Sequence, residues 1–180
     1  MLTGSSTYDP KSHDIGSQLN TLLAPRPEVS VPKTPKTLLL AASPEIAREL
    51  APQLKYHQDD DLAVYAMPSV YSGRQNPAQD SELGRIQFCD VPWLFPDHYQ
   101  GPLSQAALQS QIQGVPDSVS RLIALGIDAY QLLGHLPQLA SQTHAGASGR
   151  LSLTSDNRIA RQLVCAEFKA GVPVASGFVE

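Results

Sequence analysis

Apolar positions along this chain change rhythm several times, and each rhythm predicts a different element. Residues 37–42 (TLLLAA) are a continuous apolar run of strand length, as in a strand covered on both faces. Ser43, Pro44 and Glu45 follow directly. They supply a capping hydroxyl, a proline for the first helical position and an acid where the helix dipole favours one. The helix is predicted to about Tyr56, with Ile46, Ala47, Leu50 and Leu54 inward and a kink at Pro52. Residues 58–61 close it, and 62–66 form a second short apolar run. Strand, helix and strand in that order predict a βαβ unit with parallel strands, and hence the α/β class.

Residues 85–89 alternate polar and apolar side chains as a half-buried strand does. Pro68, Gly73, Asn76 and Pro77 break the chain between the runs at 62–66 and 85–89, so a long polar loop is expected at one edge of the sheet. Further on, a short helix is expected near 103–112. Asp117 or Ser118 should cap a helix carrying Val119, Leu122, Ile123 and Leu125, which Gly126 ends or bends. A second helix is predicted from Asp128 to about Ala140, where Ala129, Leu132, Leu133, Leu136, Leu139 and Ala140 recur at helical spacing and most of it should lie against a core. Three strand-like runs, 150–154, 159–168 and 172–175, are joined by SDN and KAG turns and predict a C-terminal β-meander.

Ahead of all this, residues 1–36 read as a Pro-rich lead-in with one short amphipathic helix, in which Ile15, Leu19, Leu22 and Leu23 share a face before Pro25 and Pro27. The folded part is then 37–180. At 180 residues with 42% hydrophobic content, the chain has enough material for one domain with a real core. A net charge of −4 with no basic stripe argues against nucleic acid, which would need one to replace phosphate counterions. No apolar run approaches the ~20 residues needed to span a bilayer. As written, the N-terminus shows no export signal.

Candidate chemistry is sparse. The five histidines are not at metal-ligand spacing, residues 59–61 lack the alternation and glycine of a calcium loop, and there is no GxGxxG or GxSxG. No metal, cofactor or catalytic set is therefore expected. Asp80 and Glu82 read as solvated loop acids. Cys89 and Cys165 read as two buried thiols, with a disulfide as the alternative should their strands be neighbours. Tyr71 and Trp93 are candidates for contact residues at a loop rim. For Trp93, beside Leu94 and Phe95, plugging the end of the core is an equal reading.

The segments SPEIARELAPQLKYHQDDDLAVYAMPSVYSG, NPAQDSELGRIQFCDVPWL, RLIALGIDAYQLLGHLPQL and GASGRLSLTSDNRIARQLVCAEFKAG resemble, in order, the C-terminal region of the LpoA family. These are outer-membrane lipoproteins that activate a class A penicillin-binding protein. VYSG and FCDVPW carry the specific part of the likeness, while LGIDAYQLL and GASGRLSLT resemble type I periplasmic-binding proteins more widely. The resemblance implies a bilobed α/β domain of that type, incomplete here, with FCDVPW near the crossing between lobes and contact or hinge roles for Tyr71, Arg74, Asp90 and Trp93. It implies a non-catalytic regulator at the periplasmic face of the outer membrane, reaching the membrane only through a lipid anchor that this chain lacks. Its partner would be the synthase. The alternative is a small-ligand or muropeptide sensor module. An exported parent would also favour the Cys89–Cys165 disulfide.

Overall fold

The computed structural model describes residues 4–9, 15–23, 37–57 and 62–179. The closing role expected of residues 58–61, and the helix-stopping role of Pro25 and Pro27, lie outside the described residues. Helix α1 (Ile15–Leu23) turns Ile15 and Leu19 into the core and packs on α2. Strand β1 (Thr37–Leu40), helix α2 (Pro44–His57) and strand β2 (Ala63–Ala66) form the βαβ unit, with β1 and β2 parallel and Thr37 opposite Ala63. The Ser43 hydroxyl accepts from the Ile46 amide, and the Glu45 carboxyl is held below its ordinary value by its own backbone amide and then by Ser43. Helix α2 runs on through Pro52 and buries Ile46, Ala47, Leu50, Ala51 and Leu54.

The segment after β2 is a crossover, not a loop at one sheet edge. Strand β3 (Ile86–Asp90) pairs parallel to β2, so the chain must travel back along the sheet between them. It does so through a 3-10 turn at Pro68–Val70, helix α3 (Pro77–Asp80) capped by the Asn76 side chain, and a 3-10 turn at Ser81–Leu83. Asp80 is buried, contrary to its reading as a solvated acid. Its carboxylate accepts from Arg48 Nε at 2.8 Å and ties the crossover to α2, while Glu82 stays exposed.

From Asp90 the chain leaves this sheet for a second layer. A 3-10 turn at Pro92–Leu94 and a series of turns lead to helix α4 (Ser120–Leu132). Strands β4 (His144–Ala145), β5 (Arg150–Leu153) and β6 (Ile159–Gln162) then form a small antiparallel sheet. The chain returns at β7 (Val164–Lys169) and β8 (Val172–Phe178), which extend the first sheet antiparallel beside β3, giving the order β1-β2-β3-β7-β8. One continuous core joins the two layers, with Val64, Phe88, Ala166 and Phe168 from the sheet meeting Trp93, Phe95, Ala124 and Ile127.

Four expectations fail here, each for a physical reason. Residues 103–112 make turns instead of a helix, because only Leu103, Leu108 and Ile112 find partial cover and a short helix without a buried face is marginal in water. Helix α4 passes straight through Gly126, whose side of the helix faces open space while Ala124, Ile127 and Asp128 pack inward. The helix predicted to Ala140 stops at Leu132, and Leu133 and Leu136 are exposed, not core-facing. The meander is divided: the run 159–168 breaks at Leu163, placing β5 and β6 in one sheet and β7 and β8 in the other.

Among the described residues, β1 is not covered on both faces either. Leu38 and Leu40 turn toward α2, while Leu39 is 71% exposed on the opposite face beside Tyr65. Helix α4 likewise leaves an apolar stripe in solvent, with Leu122 at 64% and Leu133 at 75%, joined by Leu125 and Ala129. These residues recur at i, i+3, i+7 and i+11, the spacing of one helical face. Among the described residues, no helix is long and apolar enough to cross a membrane.

Candidate functional site

Of the residues singled out from the sequence, those between Tyr71 and Trp93 gather where the chain passes between the two layers. Asp90 ends β3 on the inward side of the strand and is 1% exposed. A carboxylate there must be neutralised. Arg121, one residue into α4, supplies the charge: its Nε lies 3.0 and 3.1 Å from the two Asp90 oxygens and its terminal nitrogen 2.6 Å from Oδ2. The Val91 amide donates to Oδ1 at 2.8 Å. Burial still pushes the Asp90 carboxyl above the usual carboxylate range, against the pull of Arg121 and that amide.

The same Arg121 nitrogen donates to Pro68 O at 2.7 Å and Tyr71 O at 2.9 Å. One guanidinium thus holds the end of β3 and the start of the crossover to the helix of the other layer. Tyr71 is 2% exposed, its ring 5.7 Å from Phe88 and 6.1 Å from Phe168. Burial, reinforced by the charges of Asp80 and Asp90, raises its phenol far above the ordinary value. Tyr71 is therefore a core residue, not a rim contact. Trp93 is 1% exposed and its indole donates to Leu103 O at 2.8 Å, so of its two readings the structure takes the core plug.

Arg74 behaves differently. It is exposed and pairs with Asp117 at 2.9 Å, beside a bond from Gln105 Nε2 to Gly73 O. Gly73 has φ +95, a backbone conformation that suits glycine, and lies beside Asp117 and Ser120. These contacts dock the tip of the crossover onto the start of α4.

A second buried carboxylate, Asp128, anchors the far side of the junction. It accepts from Ala147 N at 2.6 Å, Ser148 N at 2.7 Å and Ser148 Oγ at 2.6 Å, while Trp93 N donates to Ala147 O at 3.0 Å. A Cβ on Gly146 would stand 2.6 Å from Asp128 Oδ2, so the loop needs glycine there. Neither Arg121 nor Asp128 was foreseen from the sequence. The available signal was Asp90 itself, an acid at the end of an apolar strand that needs a cation.

Cys89 and Cys165 face each other across the β3–β7 ladder and are joined by a disulfide, where two buried thiols had been the first expectation. The pairing of those strands made the difference, since it sets the two residues directly opposite. Asp90, Arg121, Asp128, Arg74 and Asp117 are each bonded within the junction. Among the described residues, no three His, Cys, Asp or Glu are grouped so as to hold a metal ion.

Comparison with known proteins follows the same outline. The curated "Penicillin-binding protein activator LpoA" of Dickeya chrysanthemi is 25% identical over 175 residues, covering 95% of this chain and 25% of that protein. Its namesake in Erwinia tasmaniensis is 29% identical over 117 residues, covering 62% of this chain and 17% of that protein. The chain thus spans a quarter or less of the length of these relatives. Among solved structures, the LpoA (YraM) C-domain from Haemophilus influenzae, a regulator of PBP1A, matches with TM-score 0.65 and 20% identity. That match covers 91% of this chain and 50% of the domain. The fold is accordingly the mixed α/β fold of that domain, shared with a "putative branched-chain amino acid ABC transporter" from Rhodospirillum rubrum at TM-score 0.55 and 15% identity. A family model described as "LppC putative lipoprotein" matches residues 11–171, and the chain belongs to that family.

Proposed function

We propose that this chain is a non-catalytic regulator that stimulates peptidoglycan synthesis by binding a class A penicillin-binding protein. The site of action is the periplasmic face of the outer membrane. The observation that carries this reading is the likeness, at 25% identity over 95% of this chain and 25% of the relative, to a protein named as a penicillin-binding protein activator. The junction supports it. Asp90, Arg121 and Asp128 are spent on mutual and backbone bonds, which leaves a joint that sets how two layers sit and not a group poised for proton transfer. Tyr71, Asp90 and Trp93 act as the hinge core, and Arg74 as its outer contact.

The test is binding of the full chain to a purified class A penicillin-binding protein, with glycan polymerisation and peptide crosslinking measured in the same mixture. Binding with stimulation is expected. No binding, or binding with both rates unchanged, would overturn the proposal. A thermal-shift panel of amino acids, short peptides and muropeptides run in parallel addresses the sensor reading, for which a flat response is expected.

A further inference from the structure

Both connections between the two layers pass beside a single covalent bond. The chain leaves the five-stranded sheet after Asp90 and returns to it at Val164, and these two residues are themselves paired in the β3–β7 ladder. Cys89 and Cys165 form the next pair inward, so the disulfide stands one residue inside each crossing. Its span of 76 residues encloses the whole second layer.

Side chains alternate across a strand, and the alternation places the bond on the more open face of the sheet. Phe88, Asp90, Val164 and Ala166 are buried on the side packed by α2 and α4, while Cys89 and Cys165 are half-buried on the other side, in line with exposed Gln87. The ladder from β7 to β8 shifts register between Cys165 and Ala166, at the same place. A bulge of this kind leaves a residue unpaired and loosens the sheet locally.

We propose that Cys89–Cys165 is a reducible pin on the hinge, a site for thiol–disulfide exchange with a dithiol reductant. A thiolate of the dithiol attacks one cysteine sulfur, forms a mixed disulfide and expels the other cysteine as a thiolate. The second sulfur of the reductant then displaces the remaining cysteine. Two electrons pass to the protein, two thiols replace the S–S bond, and the reductant leaves as its own disulfide. With the pin drawn, the crossings are held by the Arg121 bonds to Asp90, Pro68 O and Tyr71 O, by backbone pairing and by the shared core, and the second layer loosens about residues 90–91 and 163–164.

The full chain is treated with dithiothreitol under native conditions, alkylated and weighed, and its amide exchange is compared with that of the oxidised form. Two alkylated cysteines are expected without denaturant. Exchange should rise about tenfold or more in residues 90–95 and 163–166, with little change in β1, β2 and β5. Reoxidation should restore protection. The Cys89→Ser, Cys165→Ser double variant should show the reduced pattern, and if it fails to fold, reduction of the native chain remains decisive. Alkylation only after denaturant is added would overturn the proposal, because the bond would then be a closed staple. Equal loosening of both layers, or none, would overturn the hinge role.

Discussion

Replacing Arg121 with leucine tests the junction most directly. The substitution keeps the aliphatic bulk but removes the bonds to Asp90, Pro68 O and Tyr71 O together. Asp90, at 1% exposure, would retain only the Val91 amide. Breaking a buried ion pair from one side costs about 3–5 kcal/mol, since the abandoned charge stays buried. For a chain of this size, with 2–4 °C per kcal/mol, the expected drop in Tm is roughly 6–20 °C. Urea denaturation followed by the fluorescence of Trp93, the chain's single tryptophan, reads the junction itself.

The loss must also depend on pH, and its sign is fixed. The folded Asp90 carboxyl lies above the ordinary carboxylate value because burial outweighs the pull of Arg121. A raised folded pKa means that the folded state binds the proton more tightly, so this group's contribution falls as pH rises from about 3.9 through the folded value. Without Arg121 the folded value rises further and that window widens upward. Arg121→Leu should therefore cost most near neutral pH and less as pH falls below about 3.9, where Asp90 becomes protonated in the folded and unfolded states alike. The part due to Pro68 O and Tyr71 O should persist. Adding Asp90→Asn should recover a good share of the loss at neutral pH. An equal loss at both pH values, or a loss below about 1 kcal/mol, would refute the buried-pair account.

Asp128→Ala strands two buried amides and a hydroxyl, and at about 1–3 kcal/mol for each unsatisfied group it should cost upwards of about 3 kcal/mol in urea midpoints, with faster exchange at Ala147 and Ser148. Gly171→Ala would place a Cβ 2.3 Å from Pro77 O at φ +77, so a loss of about 1–3 kcal/mol or more is expected. Gly126→Ala meets nothing within 4 Å on the exposed side of α4, and should instead stabilise by about 0.5–1 kcal/mol. Arg74→Ala removes an exposed pair and should change stability by less than about 1 kcal/mol, an effect that salt erases.

The βαβ unit was legible because its signals are local. An unbroken apolar run, Ser-Pro-Glu at the helix start and a second apolar run lie within some thirty residues of one another. The direction of β3 was not, because a turn-rich segment looks the same whether it forms a hairpin loop or a crossover. Only the distant pairing of Val64 with Ile86 decides between them. The split at Leu163 was hidden for a like reason, since nothing in RQLVC announces a change of sheet. At the junction, Asp90 was visible as an oddity, but its partner is 31 residues away and was read only as part of an amphipathic helix. Burial of Asp80 escaped for the same cause, with Arg48 lying 32 residues upstream. Local chemistry reads off a sequence. A polar pair closed through the core requires the tertiary path between its members.

The exposed apolar stripe of α4 and the exposed Leu39 and Tyr65 on the sheet bear on how the chain behaves in a tube. Apolar surface of this kind makes self-association a function of dose, and β1 adds a strand edge with no neighbour among the described residues. Protein concentration is then a thermodynamic variable in every measurement on this chain. A Tm, an exchange rate or a stimulation of synthesis is comparable between two preparations only at matched concentration, and extrapolation to infinite dilution is what isolates the single molecule.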